Sequence, residues 1–361
     1  MTGRINRIPC VIMRGGTSRG PYFKASDLPS DIAERDRVLL AVMGSPHPMQ
    51  IDGIGGSHTV TSKVAIVGPS ARDDADVDFL FAQISVDEAI VDTKPNCGNM
   101  LSGVGPFAIE EGMVPAQDPE TRVRVFNVNT GALVEQTIQT PGGHVTYEGN
   151  LALDGVPGTA APIRMAFANT EGAVTGALFA SGQRREEIDG IAVTLIDNAM
   201  PMMLLRADSV GLRGDETPEE IDANSEMLAR VEALRLEAGR RMGLGDVSKL
   251  VTPKVGLLSQ ARHGGTIASR YLVPHSCHRS HAATGAICLA TACCLEGTVA
   301  AEIIGGAIGQ SGDVVIEHPA GRIDVGVSLE PDTQGGMRVS RTEILRTARR
   351  IFEGFVYVAG Q

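Results

Sequence analysis

The feature that most constrains this chain is an internal repeat. Asn96-Cys97-Gly98-Asn99-Met100-Leu101-Ser102-Gly103-Val104-Gly105-Pro106-Phe107 leads to Glu111-Gly112, and His281-Ala282-Ala283-Thr284-Gly285-Ala286-Ile287-Cys288 leads to Glu296-Gly297. With Gly112 set against Gly297, Cys97 falls against Ala282 at the same offset. A turn of small residues followed by an apolar helix therefore occurs once in each half, which predicts two similar domains, each built around a central helix. The length of 361 residues suits this, because one hydrophobic core stops growing at about 250–300 residues. The polar stretch Ser181 to Gly190 separates the halves, so the expected domains are 1–183 and 184–361, with the C-terminal segment free to pack back on the first. The two repeated turns are expected to face each other across a cleft.

Between the turns the chain reads as short strands punctuated by Gly, Asp and Asn: Cys10 to Met13, Pro21 to Phe23, Lys63 to Val67, Val77 to Ile84, Ala89 to Val91, Arg122 to Asn127 and Ala132 to Gln139. Helices are expected at Pro29 to Met43 and Gly98 to Glu111. The second half repeats the grammar with strands at Val193 to Ile196, Met202 to Leu205, Val255 to Leu258 and Thr266 to Leu272. A long surface helix is expected from Pro218 to Met242, acidic at its start and basic at its end through Arg235, Arg240 and Arg241, as the helix dipole prefers. The fold class is α+β.

The net charge of −11 opposes polyanionic partners, and 4% aromatic residues with no Trp leave little for base stacking, so neither nucleic acid nor an acidic membrane surface is expected. Six scattered cysteines contain no Cys-x-x-Cys pair and read as reduced thiols; no signal peptide or long apolar run is evident, so a cytoplasmic protein is expected. Arg14-Gly15-Gly16-Thr17-Ser18-Arg19-Gly20 has neither the Walker spacing nor the Gly-x-Gly-x-x-Gly fingerprint, so no nucleotide cofactor is indicated. Its Arg14 guanidinium, Thr17 and Ser18 hydroxyls and glycine amides suit a carboxylate. Pro274-His275-Ser276-Cys277-His278 has the look of a metal cluster but lacks a separated second ligand pair, which favours substrate contact by His275 and His278 over metal.

Two residues stand out for chemistry. Cys97 opens a small-residue turn at a helix start, where the field of the backbone amides stabilises a thiolate and lowers its pKa from about 8.5. Lys63 follows Gly55-Gly56-Ser57-His58 and opens an apolar strand, where desolvation lowers an ammonium pKa from about 10.4 toward the range of a general base. Cys10, Cys288, Cys293 and Cys294 lie in apolar runs and read as inert. A non-catalytic polycarboxylate-binding protein and a metal-dependent hydrolase or hydratase are the competing readings.

Across nearly its whole length the chain resembles the PrpF family of isomerases. The likeness is carried by Met13 to Gly20, Met43-Gly44-Ser45-Pro46, Ile51-Asp52-Gly53, Thr61-Ser62-Lys63, Asn96-Cys97-Gly98-Asn99, Ile196-Asp197-Asn198, Gly245-Asp246-Val247, Pro253-Lys254, Pro274-His275 with His278, Thr284-Gly285-Ala286 and Arg346-Thr347-Ala348-Arg349. The resemblance implies a diaminopimelate epimerase-like fold of two pseudo-symmetric domains, each a curved sheet around a central helix, with no metal or other cofactor. It implies a proton-transfer pair at Lys63 and Cys97. Substrate contacts are expected from Arg14, Thr17, Ser18, Ser57, His58, Asn96, Gly98, Asn99, Arg270, His275, His278, Thr284 and Gly285. Where diaminopimelate epimerases carry a second Cys this chain has Ala282, which argues against two-thiol racemisation, and Arg19 stands where relatives often carry Lys. Within the family the likeness points to isomerisation or tautomerisation of 4-oxalomesaconate in protocatechuate and gallate breakdown, with 2-methylaconitate cis-trans isomerisation as the alternative. The expected partner is a small polycarboxylate, and a homodimer is left open.

Overall fold

The structure is a computed structural model and describes residues 5–167, 170–273, 275–332 and 336–359; Pro274 of the histidine motif lies outside them. The chain forms two compact units, Met1–Ala166 with Leu345–Gln361, and Phe167–Ile344. The C-terminal strand Ala348–Ala359 returns to pair antiparallel with the first strand, Ile5–Gly15, along its length.

In the first unit the strand Ile5–Gly15 also pairs antiparallel with Ser18–Lys24, which lies parallel to Lys63–Pro69, itself antiparallel to Val77–Ile84. Side chains alternate across a strand, so such a sheet offers two faces. One face buries Phe23, Val64, Ile66, Ala82 and Ile84 against Val38, Leu39, Val42 and Met43 of the outer helix Ile32–Met43. Asp31 caps that helix by accepting from the Glu34 amide at 2.9 Å, and Gly44 ends it with φ of 74°. The other face carries Lys63, Ala65, Val67, Phe79, Phe81 and Gln83 and receives the central helix. The expected helix Gly98 to Glu111 is broken into Gly98–Leu101 and Val104–Glu110, because Ser102 Oγ donates to the Asn99 carbonyl at 2.7 Å and Gly103 follows.

The second unit repeats the arrangement. Pro201–Arg206 lies parallel to Lys254–Gln260, which is antiparallel to Ile267–Leu272. One face packs Met203, Leu205, Val255, Leu257 and Leu272 on Met227, Val231, Leu234 and Ala238 of the outer helix Ser225–Arg241. The helix expected from Pro218 to Met242 is two helices, Pro218–Asp222 and Ser225–Arg241, because Asn224 leaves helical geometry and caps the second by accepting from the Met227 amide. Arg235 departs from the expected basic surface end. It is fully buried and binds Glu232 and the carbonyls of Val247, Leu250 and Thr252. The central helix here, Ala283–Cys294, is unbroken and buried from Gly285 to Cys294.

Candidate functional site

In the first unit three segments converge because glycines let them. A Cβ at Gly15 would lie 2.4 Å from the Asn99 carbonyl oxygen, and one at Gly16, where φ is +51°, 2.3 Å from Asn99 Oδ1. The turn Arg14 to Gly20 therefore lies directly on the start of the central helix. Asn99 Nδ2 donates to Thr17 Oγ1 at 2.9 Å, joining two of the expected contact residues. A Cβ at Gly20 would stand 1.9 Å from the Lys63 carbonyl oxygen, so the same turn also abuts the Lys63 strand.

Lys63 is half-buried on the face that receives this helix. Its Nζ donates to Gln83 Oε1 at 2.6 Å and lies 5.0 Å from the centroid of the Phe81 ring. Gln83, directly opposite Lys63 in the ladder, is held in turn by donating through Nε2 to the carbonyls of Ser62 at 2.8 Å and Thr59 at 3.1 Å. The acceptor is a neutral amide oxygen.

Cys97 is half-buried and precedes the helix Gly98–Leu101, its carbonyl accepting from the Leu101 amide at 2.9 Å. Asn96 is fixed from below: its Oδ1 accepts from Nδ2 of buried Asn127 at 2.7 Å. Tyr22 lies under the turn and donates to the Met100 carbonyl at 2.5 Å. Burial first, and then the neighbouring Cys97, push its phenol well up, so Tyr22 stays a donor. The other thiols behave as inert core groups: burial pushes Cys10 up to about 12 and Cys277 and Cys294 up to about 11, and raises Cys288 and Cys293 further.

Other expected contacts lie elsewhere on this unit. Ser57, with φ of +61°, and His58 are exposed and line a cavity of about 560 Å³ together with Gln83. Arg14 lines a different cavity of about 460 Å³ with Tyr147, Thr347, Arg349 and Arg350. Its Nη1 is engaged by the carbonyls of Gly16 and Thr347 and by Thr347 Oγ1, at 2.8, 3.1 and 3.0 Å, so it braces the turn. Burial and the neighbouring Arg349 lower its pKa. Ser18 is buried inside the strand pairing.

In the second unit the register separates residues that sequence grouped together. Tyr271 and His278 fall on the central-helix face, where a Cβ at Gly285 would meet the Tyr271 ring at 2.4 Å. Gly285 is therefore required for packing. Thr284 is half-buried in the first turn of that helix, which no side chain caps. Arg270 falls on the opposite face, its Nε donating to the Glu216 carbonyl at 2.6 Å. His275 is exposed, 3.8 Å from Glu232 of the outer helix. Among the described residues no group of three or more His, Cys, Asp or Glu is placed to hold a metal ion, and no helix is long and apolar enough to cross a membrane.

Sequence reasoning missed Gln83, Tyr22 and Asn127. Gln83 alone left a signal, as a polar residue interrupting the otherwise apolar run Phe79 to Ile84.

The family described as PrpF protein matches residues 5–359. The 4-oxalomesaconate tautomerase of Pseudomonas putida is 49% identical to this chain over 352 residues, 98% of this chain and 96% of that one. The solved methylitaconate-delta-isomerase is similar with a TM-score of 0.88 at 37% identity, over 98% of this chain and 96% of that one. A hydroxyproline epimerase from Agrobacterium vitis, 15% identical, matches with a TM-score of 0.52 over 99% of this chain and 93% of its own, a likeness of fold alone. The α+β, diaminopimelate epimerase-like fold expected from the sequence is the fold found.

Proposed function

This chain belongs to the PrpF family and is an isomerase, and from that premise we propose that it shifts a proton and a C=C double bond in 4-oxalomesaconate, with Lys63 and Cys97 as the proton-transfer pair. The observation that carries this reading is Lys63 itself: a half-buried amine held by the neutral Gln83, on the sheet face that receives the Cys97 turn. A proton vinylogous to a carbonyl can be removed by such a base without a cofactor, provided that the dienolate is met by donors and a second group returns the proton.

In this scheme Lys63 takes the allylic proton, the electron pair of the broken C–H bond moves into the conjugated system, and Cys97 protonates another carbon. Backbone amides of the turns beside Cys97 and Thr17 stabilise the developing oxyanion, while Asn96, Gly98 and Asn99 shape the turn. Ser57 and His58 bind the polar end of the substrate. Exchange of the roles of Lys63 and Cys97 leaves the overall reaction unchanged.

Deuterium incorporation into 4-oxalomesaconate in D₂O, followed by NMR with Lys63→Met and Cys97→Ser in parallel, tests the scheme. Each substitution should lower turnover by roughly a hundredfold or more, the scale of a positioned acid or base. Full exchange and full turnover in both variants would refute it. Similarity to the methylitaconate isomerase favours a second reading, a substrate without the keto group, and the ratio of kcat/KM for 4-oxalomesaconate and 2-methylaconitate in one ultraviolet assay decides between them.

A further inference from the structure

In the first unit the paired strands Ile5–Gly15 and Ala348–Ala359 bring two like charges together, since Arg14 stands directly opposite Arg349 in the antiparallel register. Side chains opposite each other leave the sheet on the same face, with Cβ atoms about 4.5–5.5 Å apart, and like charges placed so are destabilising. The repulsion is felt at Arg14, whose pKa is lowered first by burial and then by Arg349, with only the Tyr22 phenol acting the other way.

Neither charge is matched within the chain. Nη1 of Arg14 serves the Gly16 and Thr347 carbonyls and the Thr347 hydroxyl, while its Nε and Nη2 have no acceptor among the described residues. Arg349 is exposed and has neither a hydrogen-bond acceptor nor a carboxylate partner among them. The next residue behaves differently: Arg350 donates to Glu110, Glu111 and Glu353 at 2.8, 2.9 and 2.7 Å. The fold thus supplies three carboxylates to Arg350 and none to the pair beside it.

That pair lines the cavity of about 460 Å³, all of whose lining residues belong to the first unit. Another wall is the hairpin in which Leu151–Ala152 pairs with Thr159–Ala160, anchored where the Ala161 amide donates to the Tyr147 carbonyl at 2.9 Å. It lines the space with Leu151, Leu153, Val156 and Pro157, and the strand adds Ile351, which is 52% exposed. Glu148 of the lining is exposed and pairs with neither arginine. A cavity of this size suits a small organic molecule, and one end of it is cationic while another is apolar. Lys63, Gln83 and Cys97 are not among its lining residues.

We infer that this cavity is a second binding site, apart from Lys63 and Cys97, for an organic monocarboxylate whose carboxylate lies on Arg14 and Arg349 and whose apolar body lies on the hairpin. A carboxylate between the two guanidinium groups replaces their repulsion with charge-assisted hydrogen bonds, and Leu151, Leu153 and Val156 take the apolar part out of water. The inference does not depend on the reaction proposed above.

The test is calorimetric titration of the full-length protein with cyclohexanecarboxylate at constant ionic strength. Binding should be saturable, and the neutral cyclohexanecarboxamide and the short anion acetate should each bind about tenfold or more weakly. Arg349→Gln should weaken cyclohexanecarboxylate about tenfold or more. Because Arg349 has no partner to lose, the ligand-free Arg349→Gln variant should melt at or above the temperature of the parent. Lys63→Met should bind the probe as the parent does. Failure of the parent to bind, parent-like affinity in Arg349→Gln, or equal binding of the carboxamide or of acetate overturns the inference. So does an Arg349→Gln variant that melts well below the parent or fails to fold, since Arg349 would then have a partner within the protein. Loss of binding in Lys63→Met would put the probe at the reaction centre and overturn the second site, whereas full turnover in Lys63→Met and Cys97→Ser would refute the proton-transfer scheme and leave this binding result standing.

Discussion

Lys63 Nζ donates to Gln83 Oε1 across one rung of the sheet at 2.6 Å. The contact orients the amine without a counter-charge, and the chemistry proposed for Lys63 depends on that neutrality. Gln83→Glu places a carboxylate at the same spot and favours the ammonium form. The kcat/KM at neutral pH should then fall about tenfold. A value equal to that of the parent protein would show that Gln83 does not govern the base.

Gly20 abuts the carbonyl of Lys63, which leaves no room for a methyl group. Gly20→Ala must separate the two strands locally and displace Lys63, so it should cost about 1–3 kcal/mol of stability and lower kcat with it. Thermal unfolding and initial rates check both effects. Gly131→Ala is a useful contrast: its strain comes from φ of +72° alone, with nothing near the added Cβ, and it should leave the rate unchanged.

His281 is buried, its Nδ1–H donating to the Ala282 carbonyl at 3.1 Å while Nε2 accepts from Ser269 Oγ at 3.2 Å. Burial foremost, with His318 and His278 adding repulsion, drives its pKa down to about 3. The folded state therefore resists a proton that the unfolded chain accepts near 6.5. This contribution to stability is complete above about pH 6.5 and is lost as the pH falls toward 3. Between pH 7.5 and 5.5 the loss from this one group is about 1.4 kcal/mol. Urea unfolding of His281→Phe should show a pH dependence shallower than that of the parent by about this amount.

Arg235 is fully buried and joins Glu232 to three backbone carbonyls. Arg235→Met leaves those acceptors unpaired and should cost about 3–5 kcal/mol, read from the shift in the denaturant midpoint. Arg235→Lys should not restore it, since one ammonium cannot span the positions reached by a planar fork.

Much of this molecule was legible in the sequence because its periodicities are local. The strands Lys63–Pro69, Val77–Ile84 and Ala132–Gln139 and the outer helix Ile32–Met43 follow from alternation, 3.6-residue spacing and turn residues. The prominence of Lys63 and Cys97 follows from their placement at the edge of an apolar strand and at a helix start. The breaks at Ser102 and Asn224 escaped because each is set by one side chain turning back onto the backbone, a choice that helical spacing does not encode.

By itself, then, the sequence determined the α+β class and the residues offered for chemistry. Only the tertiary structure decided which of those residues share a face. Strand register sends Arg270 to the outer helix and Tyr271 to the central one, although they are adjacent in sequence, and it brings Gly256 of a different strand level with Tyr271. Burial of Arg235 and the pairing of Lys63 with Gln83 are likewise long-range outcomes. The physical reason is that a side chain's direction in a sheet is fixed by pairing with a distant strand, and a shift of one residue would exchange every inward group for an outward one.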